Sequence, residues 1–116
     1  MDGKKGVKRW KNYIGGAWSA ASSTTLTVSN PFTEQVIAEV TDSQQKDVDN
    51  AVQTARKAFL SWRKTTPGER AALFLKLADA IEKEKERLAR LESENQGKTL
   101  ALATLDIEFS IDNLRF

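Results

Sequence analysis

The feature that most constrains the fold is a long helix that the sequence predicts between Thr66 and about Asn95. Thr66 precedes Pro67 and stands three residues before Glu69, which is the pattern of a capping box with proline at the first helical position. At about 1.5 Å per residue, such a helix would form a rod of roughly 42 Å. Because the chain has only 116 residues, we expect the other elements to pack along a helix of that length.

The apolar residues of this helix recur at helical spacing and predict one buried stripe. The stripe consists of Leu73, Leu77, Ile81, Leu88 and Leu91. Residues 82–87 read Glu-Lys-Glu-Lys-Glu-Arg, and we interpret this run as a solvated face rather than a binding surface, because such pairs stabilise exposed helices. Asn95 and Gly97 end the helix, since glycine accepts the left-handed backbone that follows a last turn.

Two more helices are predicted on either side of this segment. Residues 41–43 read Thr-Asp-Ser and should cap a helix that runs to Trp62, and the short link that follows favours antiparallel neighbours. The segment from Thr99 to Phe116 is helical in pattern but apolar on two sides, which requires burial from both. The stripes are Ala103, Ile107, Ile111 and Leu114 on one side, and Leu102, Leu105, Phe109 and Phe116 on the other. With so few helices to cover it, we expect the chain to be a fragment of a larger fold.

The first 40 residues carry strand signals. Residues 12–18 read as two short extended pieces around Gly15-Gly16, which suits a tight hairpin turn. Residues 26–29 and 35–40 alternate as further strands, separated by a turn at Asn30-Pro31. The sequence therefore predicts an α+β fragment, a small antiparallel β-meander followed by three helices.

Charge is concentrated at the start of the chain. The net charge is +2, but residues 1–11 hold five basic side chains and one acid, so the remainder is slightly acidic. We interpret residues 1–11 as a flexible basic tail rather than a nucleic-acid arm. No apolar run approaches the length of a membrane span, and no secretory signal pattern is visible. The sequence predicts a cytoplasmic protein that binds neither nucleic acid nor membrane.

Cysteine and histidine are both absent from the sequence. Their absence excludes disulfides, thiolate nucleophiles, imidazole bases and zinc sites of the usual ligand types. Covalent or metal-hydroxide catalysis by this chain alone is therefore not expected.

With these residues in view, residues 12–116 resemble the N-terminal portion of the NAD(P)-dependent aldehyde dehydrogenase superfamily. The order and spacing of several short motifs carry the resemblance. They are NYIGGAW at 12–18, VSNPFTEQVIAEV at 28–40, DVDNAV at 47–52, TPGERA at 66–71, LESENQGKT at 91–99 and DIE at 106–108. The ending IDNLRF at 111–116 is similar to the branch that acts on amino aldehydes such as γ-aminobutyraldehyde or betaine aldehyde.

The resemblance implies that residues 12–116 form the N-terminal part of a Rossmann-like cofactor-binding domain in an oligomeric enzyme several times longer. In that family a cysteine thiolate attacks the aldehyde, hydride passes to NAD or NADP, and a glutamate activates the water that releases the carboxylate. The matching catalytic and cofactor-binding positions lie beyond Phe116, so none is assigned here. The chain alone should be inactive and bind no cofactor, and Gly15-Gly16 and Gly97-Lys98-Thr99 should be turns rather than phosphate loops.

The resemblance also implies one possible metal site. Many members hold a structural sodium or potassium ion through backbone carbonyls at positions matching Val28 and Ser29 and a carboxylate matching Asp106. Oxygen ligands suit such hard ions, although Asp106 could equally be an ordinary polar residue. Trp10, Trp18 and Trp62 could line a substrate cage, but we favour packing.

Two alternatives to a dehydrogenase segment remain open. A truncated pseudoenzyme could persist as a helical interaction module whose contact residues are Leu105, Phe109 and Phe116 on the open face of the last helix. The sequence could also be an excerpt with no biology of its own. The expected partner of the last helix is the remainder of the dehydrogenase or a second copy of this chain, and an aldehyde substrate is expected only for the full-length enzyme.

Overall fold

The computed structural model describes residues 7–20 and 23–116, which divide into two compact units. The first unit holds the described residues up to Ser29 together with Gln35–Lys64. The second unit holds Asn30–Glu34 and Thr65–Phe116. Strands are confined to the first unit, and three of the four helices in the described ranges belong to the second. The predicted combination of a small strand region and helices is confirmed.

The first unit contains a three-stranded sheet with strand β5, Val36–Thr41, at its centre. Strand β4, Thr25–Ser29, pairs with β5 in antiparallel fashion, and β1, Lys8–Trp10, pairs with β5 in parallel. The prediction of a flexible tail is therefore wrong at Lys8–Trp10, and residues 1–6 of that tail lie outside the described residues. The parallel pair also makes the sheet mixed rather than a continuous antiparallel meander.

A separate hairpin joins β2, Tyr13–Ile14, to β3, Ala17–Trp18. Its turn is Gly15-Gly16, with φ values of 64° and 82°, which is the backbone that a tight hairpin requires. A Cβ added to Gly15 would lie 3.1 Å from the Thr54 methyl group. Glycine therefore serves both the turn and the close approach of the neighbouring helix, and the predicted turn is confirmed.

Helix α1, Gln45–Trp62, completes the first unit. Its N-cap is Gln44 rather than the predicted segment 41–43, and the Gln44 backbone N–H donates to Asp47 Oδ2 at 2.9 Å. None of the residues of α1 is buried. The apolar side chains Val48, Val52 and Phe59 of this helix are thus exposed within the described unit.

Helix α2, Pro67–Lys83, opens the helical part of the second unit with the predicted capping box. The Glu69 backbone N–H donates to Thr66 Oγ1 at 3.2 Å, and Thr66 N–H donates to Glu69 Oε2 at 2.6 Å. The prediction of one helix to Asn95 is wrong, because the helix breaks at Glu84, where φ is −103° and ψ is 8°. Helix α3 then runs over Lys85–Gln96, and α4 over Leu100–Arg115.

The break has a packing reason. Helix α4 contacts both α2 and α3, yet its 16 residues span only about 24 Å, against roughly 45 Å for a straight rod over α2 and α3. A break at Glu84 lets each half pack against α4. The described chain consequently has four helices where three were predicted.

Small side chains form the core of the second unit. Its buried side chains, all at most 4% exposed, are Ala78, Ala89, Ala103 and Ile111. Leucines predicted to be buried, Leu73, Leu77 and Leu91, are instead 45–49% exposed. Alanines allow helices to approach closely and leave larger neighbours outside the contact. Within the described ranges, no helix is both long enough and apolar enough to cross a membrane.

Candidate functional site

The predicted cation ligands fall in different units. Val28 and Ser29 lie on β4 of the first unit, where the pairing with β5 shifts register between these two residues. A bulge of this kind releases backbone groups from the ladder, which suits the carbonyl ligands that the resemblance implies. Asp106 lies on α4 of the second unit. The three residues as a joint site therefore stay a prediction.

Asp106 takes part in a cluster of charged side chains at the corner between α3 and α4. The Lys98 ammonium donates to Asp106 Oδ2 at 2.7 Å and to Glu92 Oε1 at 2.8 Å. The hydroxyl of Ser93 donates to the Lys98 carbonyl at 2.7 Å, which fixes the backbone from which the side chain extends. We call Glu92, Lys98 and Asp106 the corner cluster.

The electrostatics of the corner cluster favour a charged lysine. Hydrogen bonds to Asp106 and then to Glu92 raise the pKa of Lys98 above its ordinary value, and their negative charges act in the same direction. The Lys98 side chain is 24% exposed, whereas that of Asp106 is 57% exposed. Lys98 is thus held between two carboxylates and is not directed toward an external phosphate.

The backbone around Lys98 confirms that Gly97-Lys98-Thr99 is a turn. Gly97 has a φ of 72° and ends α3, and a Cβ there would lie 3.3 Å from Pro31 Cβ. Thr99 begins α4, with its side-chain oxygen accepting from the Leu102 N–H. Gly97 and Thr99 are therefore explained by helix capping, as the C-cap of α3 and the N-cap of α4.

A second feature of this unit is an open apolar surface on α4. It consists of Leu102, Leu105, Phe109 and Phe116, all of which are exposed, with Phe109 at 70%. Beside it lies a groove of about 330 Å³, lined by Ala71, Phe74, Leu75, Asn113, Leu114, Arg115 and Phe116. The other stripe predicted for α4 is buried at Ala103 and Ile111. One side of α4 is therefore covered within the unit and the other is not.

Ion pairs hold α4 to its neighbours. Arg115 donates to Asp79 Oδ1 at 2.9 Å and also to Glu82, both on α2. Lys85 on α3 donates to Glu108 on α4 at 2.9 Å. The side chains of these pairs are about one third to two thirds exposed, so each pair contributes modestly to stability.

Two tryptophans of the first unit, Trp10 and Trp18, pack against other aromatic rings. The ring centroids of Trp10 and Trp18 are 6.4 Å apart, and those of Tyr13 and Trp18 are 5.0 Å apart. Lys8 Nζ lies 4.0 Å from the Trp10 ring centroid, a cation–π contact. This arrangement agrees with the packing role that we favoured for Trp10 and Trp18.

The described residues contain no group of three or more histidine, cysteine, aspartate or glutamate side chains placed to hold a metal. The residues that remain are capping groups, ion pairs and apolar side chains. The second unit thus consists of capped, ion-paired helices that present an open apolar surface.

The model of the aldehyde dehydrogenase family matches residues 18–116. The chain belongs to this family. It is 39% identical, over its whole length, to 2-aminomuconic semialdehyde dehydrogenase from Bos taurus. It covers 24% of that protein, so it spans about a quarter of the length of the curated relatives it matches.

Solved structures of aldehyde dehydrogenases share the fold. An NAD⁺ complex of aldehyde dehydrogenase from Bacillus cereus matches with a TM-score of 0.86 and 41% identity, over 93% of this chain and 23% of that one. A betaine aldehyde dehydrogenase from Staphylococcus aureus, also in complex with NAD⁺, matches with a TM-score of 0.85 and 31% identity, over 90% and 22%. The chain has the N-terminal α+β part of the aldehyde dehydrogenase fold.

Proposed function

We propose that this chain forms the N-terminal part of an NAD(P)-dependent aldehyde dehydrogenase that oxidises an aldehyde to its carboxylate. Family membership and the NAD⁺ complexes among the similar structures support the proposal. The chain spans about a quarter of its relatives and contains no cysteine. The thiolate, the general base and the cofactor contacts would therefore come from the rest of the enzyme, and this chain alone would be inactive.

The match to the aldehyde dehydrogenase family over residues 18–116 carries this proposal, and the open apolar surface on α4 supports a contact with a further part of the enzyme. Phe109 is 70% exposed, and Leu102 and Leu105 are exposed beside it. Burying one such side chain contributes about 1.5–3 kcal/mol, and contiguous apolar patches on soluble proteins usually mark a contact. We assign the remainder of the dehydrogenase as the partner of this surface, in an enzyme that assembles as a dimer or tetramer.

The substrate class that we favour is an amino aldehyde. The ending Ile111 to Phe116 resembles the amino-aldehyde branch, and two similar proteins bear names of that kind, 2-aminomuconic semialdehyde dehydrogenase and betaine aldehyde dehydrogenase. The residues that would contact the aldehyde are outside the part of the family that this chain matches. The preference therefore rests on similarity and requires a direct assay.

The test is the intact mass of the native gene product, combined with oxidation of γ-aminobutyraldehyde by the same purified fraction in the presence of NAD or NADP. We expect a mass several times 12.9 kDa and cofactor-dependent activity. The recombinant 116-residue chain, assayed in parallel, should show none. Activity with simple aldehydes but not with γ-aminobutyraldehyde would retain the family function and reject the substrate class.

The alternative is a non-catalytic interaction module, and the same exposed phenylalanines favour it. A native product of about 12.9 kDa without dehydrogenase activity would contradict the dehydrogenase proposal and support the interaction module. In that case Phe109 and Phe116 would be the first contact residues to substitute. A partner or a second copy would then occupy the open apolar surface.

A further inference from the structure

The three-stranded sheet of the first unit has two edges that differ in charge. Strand β1, at one edge, carries Lys8 and Arg9. Strand β4, at the other edge, reads Thr-Leu-Thr-Val-Ser, and the sequence holds no charged residue from Asn12 to Thr33. Basic side chains on an edge strand oppose further pairing, whereas an uncharged edge strand permits it. The sheet can therefore be extended more readily at β4 than at β1.

The backbone on the outer side of β4 indicates what kind of partner it can bind. Among the described residues, β4 pairs with β5 alone. The Asp42 N–H donates to the Thr24 carbonyl at 3.1 Å, and hydrogen-bonded and non-hydrogen-bonded pairs alternate along an antiparallel ladder. The backbone N–H and C=O groups of Thr25 and Thr27 therefore point away from β5. A row of such groups is matched by another extended strand.

We propose that β4 is a contact surface for a second copy of this chain, whose own β4 pairs with it in antiparallel fashion about a two-fold axis at Thr27. In this register Thr27 lies opposite its counterpart, and threonine pairs across strands stabilise sheets. Leu26 lies opposite Val28 of the second copy. Because the strand is uncharged, no like charges meet, and the surface is self-complementary, as a two-fold dimer requires.

The apolar face of β4 gives this pairing a further source of stability. Leu26 and Val28 lie opposite Val40 and Ala38 of β5, so apolar side chains extend across this face as far as the edge. Leu26 is 54% exposed there. A second copy would continue the apolar face beside Leu26 and remove part of that area from water.

Pairing at β4 should stop at two copies. Each copy contributes three strands, and the outer edges of the joined sheet are then both formed by β1, with Lys8 and Arg9. These charges oppose the addition of a third copy. A strand of five residues gives a small interface, so we expect a dimer that forms as the concentration rises rather than a permanent one.

The test measures the mass of the 116-residue chain by sedimentation velocity over a series of concentrations. We expect the wild type to shift from monomer to dimer, and Thr27→Lys to weaken association by about tenfold or more, because two positive charges then face each other across the axis. Within one copy the new side chain lies opposite Glu39, so the sheet should still fold. Gln53→Lys, at an exposed position of α1, adds the same charge elsewhere and should dimerise like the wild type.

A second variant guards against misfolding. Thr27→Pro removes the outward N–H without removing a hydrogen bond to β5, which is the position that proline tolerates on an edge strand. It should also weaken the dimer, and circular dichroism at 222 nm should match the wild type for both variants at Thr27.

Single cysteines report the register, because the chain has no cysteine of its own. Thr27→Cys should be joined into a covalent dimer by a short bis-maleimide, since the Cα atoms of a hydrogen-bonded pair are about 5.5 Å apart. Thr25→Cys is the matched control. Its counterpart lies about 14 Å away, four residues along the strand from the directly opposite position, so it should be joined much less.

Two results would overturn the proposal. One is a wild-type chain that stays monomeric at every concentration. The other is a dimer that Thr27→Lys leaves intact and Phe109→Gln dissociates, which would assign the contact to the open apolar surface on α4. Dehydrogenase activity of the native gene product is a separate measurement, so failure of the proposed function and failure of this contact are distinguishable.

Discussion

The two units of this chain are stabilised by different kinds of contact. Within the described residues, all four buried side chains belong to the second unit, and three of them are alanines. The first unit relies on the backbone hydrogen bonds of β1, β4 and β5 and on a helix without a single buried residue. The second unit is therefore sensitive to side-chain volume, whereas the first is sensitive to backbone pairing.

This difference shows that apolar content alone does not identify a core. Helix α1 carries the exposed apolar residues Val48, Val52, Phe59, Leu60 and Trp62, and none of its residues is buried. The helices of the second unit bury small residues at close contacts while Leu73 and Phe74 stay exposed. The larger apolar side chains are therefore left on the surface of each unit.

The largest expected effect comes from enlarging a buried alanine. Ala103→Leu should reduce the free energy of unfolding by about 1–3 kcal/mol, because added methyl groups separate packed helices. Ala101→Leu, at an exposed position of the same helix, and Ala55→Leu, at an exposed position of α1, should each change it by less than about 0.5 kcal/mol. Urea unfolding followed at 222 nm measures all three, and equal losses at Ala103 and Ala55 would remove the contrast between the units.

A smaller effect is expected at the start of α2. Thr66→Ala should destabilise the second unit by about 1 kcal/mol, because the Glu69 N–H loses the oxygen that accepts its hydrogen bond at 3.2 Å. Thr66→Ser keeps a hydroxyl and serves as the matched control. The same unfolding assay should place the serine variant within a few tenths of a kcal/mol of the wild type. A serine variant as unstable as the alanine variant would show that the methyl group matters rather than the cap.

The smallest expected effect is a pH dependence that Glu69 gives to the second unit. Hydrogen bonds from Thr66, first from its backbone N–H and then from its side chain, lower the pKa of Glu69. A carboxyl whose pKa is lower in the folded state stabilises the fold above its unfolded pKa, and that stabilisation is lost as pH falls through the folded value. Unfolding midpoints of the wild type and Glu69→Gln should therefore differ at pH 7 and converge below about pH 4. A constant difference down to pH 3 would contradict this assignment.

Local signals in the sequence predicted local structure well. The glycine pair at 15–16, the capping box at Thr66 and the left-handed Gly97 are all confirmed, because each depends on a few adjacent residues. The buried stripe of α4 through Ala103 and Ile111 is confirmed as well. These features require no knowledge of distant neighbours.

Features that depend on distant contacts were missed. The break at Glu84 lies in a run of good helix formers without glycine or proline, so only the packing of both flanking helices on α4 accounts for it. Strand β1 is a short basic segment whose parallel partner follows some 30 residues later, and parallel pairs leave no turn signal between them. The preference for buried alanines over leucines likewise depends on how closely the helices approach.

In the candidate site, too, some features could be predicted from the sequence and others depend on contacts that the sequence does not show. Asp106 was selected by resemblance alone, and its pairing with Lys98 could have been suspected from the eight-residue spacing across the turn at Gly97. Nothing in the residue types showed that one lysine would serve both Glu92 and Asp106. The open apolar surface, in contrast, followed directly from the two-sided pattern of the last helix.

The break at Glu84 also interrupts the regular 3.6-residue repeat of side chains between α2 and α3. In an uninterrupted α-helix, adding or removing one residue rotates every later side chain by about 100° about the axis. Here α2 and α3 each contact α4 separately. The side chains of α3 therefore do not continue the helical repeat of α2. We therefore expect Glu84 to be the position in this long charged segment where one residue can be inserted without turning a buried alanine toward solvent.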